Sequence, residues 1–292
     1  MIKKLIFCLV LLFPVLALAN GPEPNILIAM VSPANPATPS VKPSASHTDY
    51  TQDANCMGAW YMNSAGDATE VDRSGESGDL TESAGDTIAQ SATVPTTPVY
   101  SGYSKDFVIA ETEYLTHADT NSTDINGADQ KLSIVAWVKL TAVTNTQNYV
   151  IVSKFDWGTG DRQYRLNING TAANEFRFEG YLSSDGGAGT QIFSTTTDYA
   201  ITTWYHVALV YNDTDMRLYI NGVLASTPEA HITGIDNGDA AFIIGAGLNS
   251  GTPEQYFNAL IDEVAIFNRD LSATEVLENY NHGISGNKGG SD

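Results

Sequence analysis

The chain has 292 residues, with 34 Asp+Glu against 14 Lys+Arg, a formal net charge of −20, and 42% hydrophobic and 10% aromatic residues. So much apolar material excludes a disordered acidic tail, and a charge of this sign excludes nucleic acid and anionic membrane surfaces as partners, because both need a positive footprint. What is left is one large or two small globular domains whose acidic surface suits divalent cations or neutral ligands.

Residues 1–19 carry Lys3 and Lys4, then an apolar run interrupted by Pro14, and end on Ala17-Leu18-Ala19. That is the pattern of a secretory signal peptide, and the run is too short for a membrane span. No second stretch of spanning length follows, so the expectation is an exported protein, secreted/extracellular or periplasmic, without membrane insertion. Loss of the leader removes Cys8 and leaves Cys56 alone, so no internal disulfide holds the fold. Residues 20–51 hold Pro22, Pro24, Pro33, Pro36, Pro39 and Pro43 and read as a linker, interrupted by the apolar patch Ile26 to Val31. The folded part is expected over 52–285, followed by a flexible tail at 286–292.

Strand signals dominate the folded part. Residues 132–139 place Ile134, Ala136 and Val138 on one face and Val135 and Trp137 on the other, which predicts a strand covered on both sides. Further strands are expected over 149–154, 163–168, 175–179, 204–211, 216–221, 242–245 and 259–267. Residues 212–215 and Asn221-Gly222 supply turn chemistry. Trp60, Trp137 and Trp204 fall in strands and read as core. One helix is predicted, starting at the capping box Ser272 to Glu275, with Val276, Leu277 and Tyr280 as its apolar stripe. The fold class that follows is all-β, an antiparallel β-sandwich (jelly roll) with one short C-terminal helix.

WYHVALVY at 204–211 followed by RLYING at 217–222 resembles the laminin-G-like jelly-roll domains of the concanavalin A-like lectin/glucanase superfamily. ALIDEVAIFNRDLS at 259–272 resembles that family's closing strand and helix start. GAWY at 58–61, DRSG at 72–75 and SIVAWV at 133–138 resemble its opening strand, following turn and central strand. The stretch 108–114, VIAETEY, departs from the family by lacking an apolar-Asp-Gly turn. The resemblance specifies a fold that hosts both lectins and hydrolases, so function must be argued from a site.

Glu70, Asp72 and Glu76 superficially match a glycosidase carboxylate set, but Gly75 and the spacing favour an acidic turn. No nucleophile elbow, paired-His metal motif or C-x-x-C is present, and the expectation is a protein that is not an enzyme. His206 reads as structural. The resemblance implies calcium, a structural ion held by Asp262 with the Asp72 turn beside it; the alternative is that Asp262 hydrogen-bonds a neighbouring strand without metal.

For sugar stacking, Trp157 between Asp156 and Asp161 in a Gly-rich loop is one candidate, and Tyr181, near Asp185-Gly186-Gly187, is another. The alternative for Trp157 is an edge side chain folded over the sandwich. The favoured function is a non-catalytic recognition or adhesion module for glycan or an extracellular protein surface. The alternatives are a structural, envelope-associated domain without small ligand, or a glycoside hydrolase.

Overall fold

The computed structural model describes residues 50–66, 69–76, 78–83, 87–95, 102–119, 123–125, 130–230 and 234–284. The leader, the patch at 26–31 and the tail lie outside the described residues. Among those described, nineteen strands form two sheets, nine in one and ten in the other, with a single α-helix, Ala273–His282.

The first sheet runs in the order Val223–Leu224, Asp215–Ile220, Tyr205–Tyr211, Leu132–Leu140, Ala259–Phe267, Ser104–Phe107 and Ala89–Ser91. Cys56–Trp60 also pairs with Ala259–Phe267. The second runs Thr190–Ser194, Glu175–Ser183, Asp161–Ala172, Asn148–Asp156, Phe242–Ile244, Leu115–His117 and Thr81–Glu82. A hairpin, Gly247–Asn249 with Thr252–Glu254, joins this sheet through a parallel bridge, Leu248 to Asp156. The sandwich expected from the alternation is the sandwich observed.

Its physical basis is the two-residue period of strands. From Leu132–Leu140, Ile134, Ala136 and Val138 enter the core between the sheets, where they meet Leu166, Ile168, Phe176 and Phe178. Val135 enters a second cluster with Tyr50, Phe267, Leu271 and Val276, and Trp137 stacks on Tyr280 of the helix with centroids 5.5 Å apart. Both faces of the strand are thus covered, one by a sheet and one by the terminal helix. That helix starts as the sequence indicates, with the Ser272 side chain accepting the Glu275 N–H and the Glu275 carboxylate accepting the Ser272 N–H. At the predicted hairpin turn, Asn221 and Gly222 take φ of 52° and 77°, the two positive values of a type I′ turn.

Two expectations need correction. Tyr50 and Thr51, placed in the linker by composition, are buried in a 3-10 turn; the Tyr50 N–H donates to Ile284 O at 2.8 Å, and its hydroxyl donates to Glu278 at 3.0 Å. The domain therefore extends at least to Tyr50. Trp204 is only half-buried and precedes the strand Tyr205–Tyr211, whereas Trp60 and Trp137 are buried as expected.

Candidate functional site

The outer face of the second sheet carries a polar cleft. In Asp161–Ala172, Tyr164, Leu166 and Ile168 point to the core, so Arg165 and Asn167 point outward; in Glu175–Ser183, Phe176, Phe178 and Leu182 are core, so Glu179 and Tyr181 point outward. Register places Arg165 directly opposite Tyr181. The Gly247–Glu254 hairpin stands beside them as a wall. Together Trp157, Arg165, Tyr181, Asn249, Glu254 and Gln255 enclose about 310 Å³.

One carboxylate fixes the wall to the floor. Asp156 is 4% exposed and accepts the backbone N–H groups of Gly158 (2.9 Å) and Thr159 (3.3 Å) from its own loop. It also accepts those of Ser250 (2.7 Å) and Gly251 (2.6 Å) from the hairpin tip. Burial alone would raise the Asp156 pKa, but the donors, Gly251 first, outweigh it and hold the carboxyl below its ordinary range. The hairpin tip is itself a type I′ turn, Ser250 and Gly251 having φ of 52° and 75°. Gly158 has to be glycine here, because a Cβ would sit 2.1 Å from Ser250 Oγ and 2.6 Å from its backbone nitrogen.

Trp157 is 43% exposed at the cleft rim. The Arg162 guanidinium lies 4.4 Å from its ring centroid and donates to the Trp157 carbonyl at 2.7 Å, while Phe155 stacks at 5.7 Å. The indole is therefore held in place and is not a free rotor. Tyr181 is buried, its hydroxyl donates to Glu179 at 2.9 Å, and burial followed by the Glu179 charge raises its pKa. Arg165 is 3% exposed, donates to Gln255 Oε1, and lies 5.2 Å from the Tyr181 ring centroid. Burial pushes its pKa down.

The structure therefore joins Trp157 and Tyr181, two separate candidates in the sequence, in one cleft. Asp156 serves as its internal clamp. Asp161 does not line that cleft; it lies with Asp156 and Asp239 in an adjoining depression of about 370 Å³. Arg165, Asn249, Glu254 and Gln255 were missed in sequence. A signal for the hairpin existed in the turn-forming run Asn249 to Thr252.

Asp72 is a poor fit to a calcium ion. Its Oδ1 accepts the N–H groups of Ala59 (2.9 Å) and Ser74 (2.8 Å), and its Oδ2 accepts the Ser74 hydroxyl (2.8 Å) and the Gly78 N–H (3.0 Å). Those four bonds use the roughly four lone-pair sites a carboxylate offers. Asp262 is fully buried opposite Trp137 at a bulge in Ala259–Phe267. Among the described residues no group of three or more His, Cys, Asp or Glu side chains gathers to hold a metal. Glu70 likewise accepts from Asn63 N–H, Ser64 N–H and Ser64 Oγ, and Gly75, at φ 80°, sits in a turn, so the acidic-turn reading of this segment describes what is there.

Solved structures with this architecture include the binding domain of Paraclostridial Mosquitocidal Protein 1 (16% identity, TM-score 0.60, 80% of this chain and 53% of that one). Another is domain 4 of AbnA, a GH43 extracellular arabinanase from Geobacillus stearothermophilus, in complex with arabinotriose (17%, 0.53, 77% and 97%). A third is from a study of botulinum neurotoxin type C and its interaction with two ganglioside molecules (17%, 0.57, 78% and 51%). The chain spans about half the length of the toxin chains it matches. At these identities the likeness is one of fold. A search of curated proteins gives no significant match. A laminin-G-like family model matches residues 110–277, more than half of the chain, and the protein belongs to the concanavalin A-like lectin/glucanases superfamily.

Proposed function

We propose that this domain is an exported, non-catalytic recognition module that takes a glycan into the cleft between Trp157, Tyr181 and the hairpin. The observation that carries the reading is that an exposed, immobilised indole shares one cleft with buried hydrogen-bonding side chains. Sugar recognition needs that pairing, an aromatic face for C–H groups and fixed polar atoms for hydroxyls. The arabinotriose complex of the similar arabinanase domain supports a saccharide, and the binding domain of the mosquitocidal protein supports a binding role. Glu70 is engaged by Asn63 and Ser64, and Asp72 by Ala59, Ser74 and Gly78, which supports binding without hydrolysis.

The test is a glycan panel that includes arabinotriose, probed with wild type and Trp157→Ala. Binding that falls about tenfold or more in the variant, with an unchanged melting temperature, is the expected result. A wild-type protein that retains no glycan, or a variant that binds as well as wild type, would end this reading.

A further inference from the structure

Among the described residues, the two buried lysines are matched by carboxylates and the buried Arg165 is not. Lys105 pairs with Glu82, and Lys154 with Asp124 at 3.0 Å and with Asp119. Arg165, at 3% exposure, forms no salt bridge with any described carboxylate. Its one hydrogen bond among the described residues runs from Nη2 to Gln255, and its Nε is buried without a partner. Glu179 and Glu254 act on it electrostatically from beyond contact distance, and neither forms an ion pair with it. Glu179 accepts from Asn167, Tyr181 and Ser194 at 3.1, 2.9 and 2.9 Å, and Glu254 accepts from Asn249 at 3.2 Å. A guanidinium taken out of water without a contacting ion pair or a full set of acceptors is costly, and an oxyanion placed against it would offset part of that cost. Its rigid fork of donors suits a carboxylate or a sulfate better than it suits a hydroxyl.

We propose that the cleft selects an acidic saccharide, its oxyanion paired with Arg165 while Trp157 packs on a sugar ring. This rests on the glycan reading above and names the ligand class for that same cleft. The net charge of −20 limits the ligand to an isolated acidic sugar. A polyanion would extend its further charges over an acidic surface, whereas a single oxyanion in contact with Arg165 gains locally.

The test titrates the full chain with a neutral trisaccharide bearing one terminal galacturonate, its carboxyl-reduced neutral counterpart, and a singly sulfated neutral trisaccharide. Wild type should bind one or both acidic probes about tenfold or more tightly than the neutral one, the two acidic arms separating carboxylate from sulfate. Arg165→Gln should erase that preference and Arg165→Lys should reduce it, the lysine keeping the charge without the fork. Trp157→Ala should weaken acidic and neutral probes alike. Melting temperatures identify a variant that has lost its fold, in which case the Lys variant carries the comparison. Equal binding of acidic and neutral probes by wild type, or a preference that survives in Arg165→Gln, overturns the inference. Binding of neutral panel glycans alone overturns it too and leaves the glycan reading standing, whereas binding of nothing sinks both.

Discussion

Asp156 accepts the Ser250 N–H at 2.7 Å, and this bond crosses 94 residues of sequence to tie the Trp157 loop to the tip of the neighbouring hairpin. With the bonds from Gly251, Gly158 and Thr159, it makes the carboxylate the joint between the cleft's floor and its wall. Asp156→Ala leaves four backbone donors without this acceptor. Bonds to a charged group count for more than neutral ones, so the loss of stability should be about 2–4 kcal/mol. Urea unfolding measures it. Glycan affinity should fall as well, because the hairpin no longer holds Asn249, Glu254 and Gln255 in position; unchanged affinity would separate the clamp from the site.

Gly158→Ala approaches the same joint from the steric side. The added methyl would lie 2.6 Å from the Ser250 backbone nitrogen, which a rotamer change cannot relieve. The loop or the hairpin has to move, at a cost of about 1–3 kcal/mol. The expected signature is a larger loss of ligand affinity than of stability, read from a titration and a melt on the same sample. Gly102→Ala, whose Cβ would meet nothing within 4 Å, is the control with neither a clash nor a left-handed φ.

The strands were legible because each obeys a local rule. Ile134, Ala136 and Val138 alternate with Val135 and Trp137, and the capping box from Ser272 to Glu275 lies within four consecutive residues. The cleft depends on long-range pairing that no local pattern encodes. Trp157 could be singled out by its loop, but its neighbours Arg165 and Tyr181 meet through sheet register, and Gln255 reaches Arg165 from 90 residues away. The linker boundary failed for a related reason: Tyr50 is held by the far end of the chain, through Ile284 and Glu278. Composition marks where prolines stop and carries no information on which residue the last helix covers.

His206 gives the domain an acid-side stability profile. It is 1% exposed, lies edge-on to Trp137 at 5.3 Å, and burial lowers its pKa to about 3. The unfolded chain binds a proton near pH 6.5 while the folded chain does not until about pH 3. Stability attributable to this group is therefore complete above pH 6.5 and declines as pH falls toward 3, by on the order of a few kcal/mol. Asp156 adds a second, lower window, since its depressed pKa makes its contribution fade only as pH drops below about 4. Unfolding free energies between pH 7 and 4 should slope downward in wild type and be flatter in His206→Gln. An equal slope in both proteins would assign the effect to other groups.

Asp72 distinguishes a structural carboxylate from a metal ligand. Its two oxygens already accept from Ala59, Ser74 and Gly78, with Ser74 contributing both N–H and hydroxyl. A cation bound by Asp72 would have to displace some of these bonds, and a buried N–H left without an acceptor costs about 1–3 kcal/mol. Asp72→Ala should therefore lower stability by about 2–4 kcal/mol through the lost bonds alone, and by the same amount in millimolar calcium and in chelator. Parallel melts of wild type and variant under both conditions decide the matter. A calcium-dependent rise in wild type that disappears in Asp72→Ala would mean that the turn opens to coordinate the ion, and that the hydrogen bonds from Ala59, Ser74 and Gly78 describe only the metal-free arrangement.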